Sequence, residues 1–411
     1  MNNLVKKQNQ NSKNYSPKIP TLANMLEYAR IDSEYPSAFI LSNKSPEFSP
    51  EIKHLGPAYV GFANAFAYFL NYTGQGYGYI FDNDWCRDRS YTIADVISGN
   101  AMQPVDFSTQ PADVVTQEGI EYLWNTAGFH FHHTFCADSS CDSYLNEADM
   151  KNIIKYSLCT LGQPVIMPQD YIEFFGSIIV GYKDDGNILL AYYYEPYFKD
   201  MQDNTKAKIT EISNWYNKNT SMFIAGKRRE ILSAKEIYRK GIIRIYECLN
   251  SNINGEKTHY YDEWEEFLRL SKNGMLDEAR RIGYVPGGEY AKVDKSDNDE
   301  KAWNIICRSY NNTWCNMAER RYYVMHFLKQ SEEYFPGLHD ELQELASHFN
   351  YASSIMSNKE TGYNSEIGDP VKPEVLENQE IRMRMADCVR RFRDADKTAL
   401  NMVKTLLNKL D

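Results

Sequence analysis

Residues 177–194 constrain this chain more than any other stretch. Two β-rich runs, Ser177–Tyr182 (SIIVGY) and Ile188–Tyr194 (ILLAYYY), are separated by Asp184, Asp185, Gly186 and Asn187. Asp-Gly supplies the positive φ angles of a tight turn, so the runs are expected to fold back as an antiparallel hairpin. Val165–Met167, entered through Gly162 and Pro164, reads as a buried strand, and Met222–Ala225 as a further strand of the same sheet. Gln75–Phe81 (QGYGYIF) also reads as a strand.

Helical periodicity surrounds these runs. Leu22, Met25, Leu26 and Ala29 share one face from Thr21 onward, Gly61–Leu70 is apolar, and Asn152–Leu161 is amphipathic. After about residue 235 the period changes: Ala234–Cys248, Tyr261–Leu270 and Trp303–Lys329 read as helices, and Leu338, Leu342, Leu345, Phe349, Ala352 and Ile355 mark another. A last helix carries Ile381, Met385, Val389, Phe392, Ala399, Val403, Leu406 and Leu410 on one stripe. Its arginines, 382, 384, 390, 391 and 393, are expected on a solvated face with intrahelix pairs. Residues 285–300 and 358–373 read as loops. The expected fold class is therefore α+β followed by all-α: a disordered leader over 1–14, an α+β domain over 15–233 and a helical domain over 234–411.

Composition narrows the function. The net charge is −11, which repels phosphate backbones and argues against nucleic-acid binding. No apolar run approaches the ~20 residues of a membrane span, and the first residues lack the core of a signal peptide, so a cytoplasmic protein without membrane partners is expected. The eight cysteines are too sparse for a disulfide scaffold and are expected as thiols. The 31 tyrosines suit pockets and interfaces; a large Tyr-rich dimer interface would make this a structural or interaction protein.

Four constellations carry possible chemistry. Residues 74–78 (GQGYG) imitate a phosphate-binding loop, but Tyr79, Ile80 and Phe81 continue as strand where that loop must open a helix. His130, His132, His133, Cys136 and Cys141 lie close together, with His130 and His132 on one strand face. Their spacing matches no zinc signature, so a polar strand and loop with no metal or other cofactor is the expectation. Trp85 and Cys86 sit among Asp82, Asp84, Arg87, Asp88 and Arg89 in an expected charged loop. Either Arg87 lowers the Cys86 pKa or the thiol simply packs beside Trp85. In the helical half, Trp303, Trp314, Tyr322 and Tyr323 with Arg320 and Arg321 would line a cleft, or divide into core and surface.

Several segments in this order resemble one family. They are TLANMLEY (Thr21–Tyr28), VGFANAF (60–66), Trp85–Cys86, LGQPVIM (Leu161–Met167) and GSIIVGYKDDGNILLAYYY (Gly176–Tyr194). Together they resemble the butirosin-biosynthesis-protein-H-like N-terminal domain, a papain-like cysteine-peptidase fold, over roughly residues 15–230. The resemblance implies a cysteine at the start of the first helix. It also implies a histidine opening the first hairpin strand and an Asn or Asp after the second, the last orienting the imidazole that deprotonates the thiol.

This chain departs from that pattern. No cysteine precedes Cys86, and the first helix is approached through Ser16, Pro17, Ile19, Pro20 and Thr21. Phe175 occupies the histidine position, and Glu195, followed by Pro196, that of the orienting acid. The expectation is a noncatalytic or atypical member, a pseudoenzyme, binding a small molecule or a peptidyl or acyl group in the interdomain cleft. Trp85, Glu173, Phe175 and Tyr182 are its expected ligand-binding residues. The enzymatic alternative is a cysteine-type hydrolase or an acyltransferase. Its relocated nucleophile is Cys86 with one of His130, His132 or His133 as base, whereas acyl transfer from an acyl carrier protein would use a buried Glu173 or Glu195 as general base. A homodimer belongs to the structural alternative.

Overall fold

The computed structural model describes residues 22–31, 35–42, 61–76, 79–82, 85–102, 117–135, 145–167, 177–194, 207–216, 221–228, 232–255, 259–287, 292–357 and 373–410. The leader at 1–14 and most of the loop at 358–373 lie outside them. In the sheet-bearing half the helices are α1 (Leu22–Ile31), α2 (Gly61–Tyr72), α3 (Arg89–Ile97), α4 (Gln117–Thr126) and α5 (Glu147–Lys155). The strands are β1 (Phe39–Ile40), β2 (Tyr79–Asp82), β3 (Trp85–Asp88), β4 (Phe129–Phe135), β5 (Val165–Met167), β6 (Ser177–Lys183), β7 (Ile188–Tyr194), β8 (Ala207–Ser213) and β9 (Ser221–Arg228). The helical half contains α6 (Ala234–Asn254), α7 (His259–Arg269), α8 (Lys272–Ile282), α9 (Asp299–Ser331), α10 (His339–Ser357), α11 (Pro373–Glu377) and α12 (Gln379–Leu407).

The expected hairpin forms, with Lys183 opposite Ile188. Its turn is longer than a two-residue connection: Asp184 (φ 48°), Asp185 (φ 51°) and Gly186 (φ 90°) are all left-handed. Asp tolerates that region better than other side chains, and Gly enters it freely. The sheet runs in the order β4-β9-β5-β6-β7-β8, with β1 beside β6, and every pairing is antiparallel. At β1, a Cβ on Gly181 would stand 2.4 Å from the Phe39 carbonyl oxygen, so only glycine lets that strand approach.

Alternation along the strands divides two cores. Ile166, Ile178, Val180, Leu190, Tyr192, Phe223 and Ala225 face α2, whereas Val165, Met167, Ile179, Leu189, Ala191, Met222 and Ile224 face α5 and Met25 of α1. Helix α2 crosses its face with Phe62 against Phe223 (5.0 Å between ring centroids) and Tyr72 against Tyr192 (5.1 Å). The first of these cores continues into the helical half through Ile237, Tyr238, Tyr323, Phe327 and Leu345. A separate core gathers Trp264, Trp303, Trp314, Phe267 and Phe392.

Several local readings change. The helix expected from Asn152 begins at Glu147, because the Asn146 side chain caps it by accepting from the Asp149 amide. It passes into a π-turn over Tyr156–Thr160 before Gly162 (φ 63°) ends it. The strand expected from Gln75 begins at Tyr79. Trp85 and Cys86 lie in strand β3, paired with Asp82 and Phe81, rather than in a charged loop; the ladder with β2 outweighs the turn-like composition. Arg382 leaves the expected solvated face: it is 2% exposed and donates to the carbonyls of Leu376, Glu377 and Leu270 at helix ends. Arg393 pairs with Asp262 of α7 rather than within its own helix. No helix among the described residues is long and apolar enough to cross a membrane.

Candidate functional site

Register places several chain exits at one end of the sheet. Phe135 pairs with Ser221, Met167 with Ser177, and Tyr194 with Ala207. The described strands thus end together at this rim, at Phe135, Met167, Ser177, Tyr194, Ala207 and Ser221, and residues 168–176 and 195–206 lie between these ends in sequence. Glu173, Phe175 and Glu195 belong to these segments and lie outside the described residues, as do Cys136 and Cys141. Helix α2 opens with Gly61 and strand β6 with Ser177, neither of which brings a thiol or an imidazole.

Tyr182 is not at the rim. It sits five residues along β6, ~17 Å at the rise of a strand. Its ring is buried on the α5 face, stacked on Phe39 with centroids 6.4 Å apart, and its hydroxyl donates to the Pro36 carbonyl at 2.8 Å. The Cys159 sulfur lies 3.5 Å from the same hydroxyl. Burial pushes the Cys159 thiol up, against the opposing pull of Tyr182 and Lys155. Trp85 and Cys86 occupy the separate β2–β3 ribbon, which leads directly into α3. The register that pairs Phe129 with Arg228 shifts before Phe131, placing a bulge at Gly226–Lys227 of β9, opposite His130. His130 and His132 are half-buried on β4. Among the described residues no group of three or more His, Cys, Asp or Glu side chains is arranged to hold a metal.

A second concentration of polar groups lies where α3 and the 3₁₀ turn Asn100–Met102 enter the helical half. Asp95 is fully enclosed; its Oδ1 accepts from Asn100 Nδ2 at 2.6 Å. Burial raises its carboxyl to about 6, although the Asn100 bond and the Arg320 and Arg321 charges pull the other way. Arg321, equally enclosed, donates from Nη1 to the Ala101 carbonyl at 2.6 Å and is held from behind by Asp396. Tyr261 donates to Asp396 Oδ2 at 2.8 Å. Tyr91 packs edge-on against Tyr323, 4.6 Å between centroids, and burial raises its phenol well above the usual range. Trp303, Trp314 and Tyr323 are thus core residues. Arg320 and Arg321 are buried beside them instead of lining an open surface. The sequence signal for Asp95 was its position among Ile93, Ala94, Val96 and Ile97, an acid in an apolar run.

No family model, no curated protein and no solved structure matches this chain.

Proposed function

We propose that this chain is a papain-like scaffold protein that lacks its relatives' thiol–imidazole couple and binds a ligand instead of cleaving one. The observation supporting this reading is that the strand ends Met167, Ser177 and Tyr194 stand together at one rim of the antiparallel sheet. The segment bearing Glu173 and Phe175 and the exit bearing Glu195 spring from neighbouring strands. Two carboxylates and an aromatic ring suit a small molecule or peptide with an ammonium group. The acids pair with the cation, and the ring face attracts it. Among the described residues the core shared by the two halves is packed with side chains, and the rim rather than that junction is taken as the ligand site.

The test is a thermal-shift screen with aminoglycoside-like amines and short amine-bearing peptides. A stabilising ligand is expected for the parent chain, and its shift is expected to vanish in the Glu173→Gln/Glu195→Gln double variant. A shift that survives in that variant, or no stabilising compound in either class, would overturn the reading. Acyl transfer abolished by Cys86→Ser would replace binding by chemistry at that thiol.

A further inference from the structure

The Asp95 cluster is independent of the rim and holds a buried carboxyl with one unpartnered oxygen. Asp95 Oδ2 has no hydrogen-bond partner among the described residues, and its oxygen is out of reach of solvent. Helix α9 brings Arg320 and Arg321 toward it. Arg321 is already committed, donating from Nε and Nη2 to the two oxygens of Asp396. Helix α6 brings Arg244 beside Gly99, but that guanidinium is engaged by Glu118 of α4 at 2.9 Å and by Glu247 at 3.4 Å. Helix α2 meets α3 through a neutral contact, Ser90 Oγ donating to Asn71 Oδ1. On its own helix Asp95 faces Tyr91, which also feels Tyr323 and the half-buried Glu319. The charges acting on Asp95 itself are those of Arg320 and Arg321, and burial outweighs their pull. An ionised carboxylate with one unpartnered oxygen in a low-dielectric interior is costly, and a proton lowers that cost.

We propose that Asp95 is a proton-operated latch: protonated, it holds α3 and the 3₁₀ turn against α9, and ionised, it loosens that joint. The segment it governs joins the Trp85–Cys86 strand to the helical half, so the latch couples proton concentration to the seating of that ribbon.

The sign follows from linkage. A carboxyl whose pKa is raised in the closed state binds its proton more tightly there, so closure is strongest below its open-state value. The advantage is lost as pH rises through the closed-state value of about 6. Taking about 4 for the open state, the opening constant is expected to rise roughly tenfold between about pH 5 and about pH 7.5.

Hydrogen exchange on the full chain reads this directly, through the amides of residues 92–102 corrected for intrinsic exchange. The tenfold loss of protection is expected in the parent and should disappear in Asp95→Asn, which keeps the shape without the charge. Equal corrected protection at the two pH values overturns the proposal, and so does an Asp95→Asn variant with the parent's pH response. Should that variant fail to fold, carbon-13 carboxyl NMR of Asn100→Ala decides. Losing the bond to Oδ1 must raise the Asp95 titration midpoint, and an unmoved midpoint overturns the latch.

Discussion

Arg321 and Asp396 meet in a double hydrogen bond with neither side chain exposed. Nε donates to Oδ1 at 2.9 Å and Nη2 to Oδ2 at 2.6 Å. The guanidinium also lies over the Phe392 ring, 4.9 Å from its centroid. Helices α9 and α12 are thereby joined at the same place where α9 reaches the Ala101 carbonyl.

Removing one partner of this pair strands the other as a buried charge. Asp396→Asn and Arg321→Ala are each expected to destabilise the protein by about 3–5 kcal/mol. An Arg321→Met/Asp396→Leu double variant should lose less than either single change. Urea denaturation of the four proteins measures this, and a double variant at least as damaged as the singles would contradict it.

Close approach between α6 and α9 depends on Gly241. A Cβ there would stand 2.1 Å from the Phe327 ring, deep in the shared core. Gly241→Ala is expected to cost about 1–3 kcal/mol by overpacking, despite the better helix propensity of Ala. A pairing with Phe327→Leu should recover part of the loss in the same denaturation assay.

Tyr182 acts as a tether for the segment before β1. Tyr182→Phe loses the bond to the Pro36 carbonyl and should cost about 0.5–1.5 kcal/mol. Because this ring lies away from the rim, the variant is expected to keep the ligand-induced thermal shift in full. A lost shift with unchanged stability would make Tyr182 a ligand contact.

Cys159 is expected to react slowly. Its raised pKa leaves less thiolate at neutral pH, and thiolate is the form that alkylates. Iodoacetamide labelling followed by peptide mass mapping should find it slower than an unstructured thiol at about pH 7.5. Labelling as fast as the unstructured reference would show that burial does not control it.

The elements legible in the sequence are those governed by neighbours. The 177–194 hairpin follows from turn chemistry and α6 from its helical period, to which the structure adds a Ser233 cap that accepts from the Glu236 amide. Helix α3 was not legible. Ser90 through Ile97 are all buried, so it lacks the polar face that produces a helical period. The edge strand β8 escaped for the opposite reason, since AKITEIS carries little apolar signal and Ile209 is exposed.

The candidate site divides in the same way. The sequence alone determined which residue types flank the hairpin, Phe175 before it and Glu195 after it, because that pattern is read one residue at a time. Tertiary structure decided which charges face one another. Arg321 finds Asp396 75 residues on and the Ala101 carbonyl 220 residues back. Backbone conformation depends on adjacent side chains, whereas the energy of a buried charge depends on everything packed around it, and that environment exists only once the chain has folded.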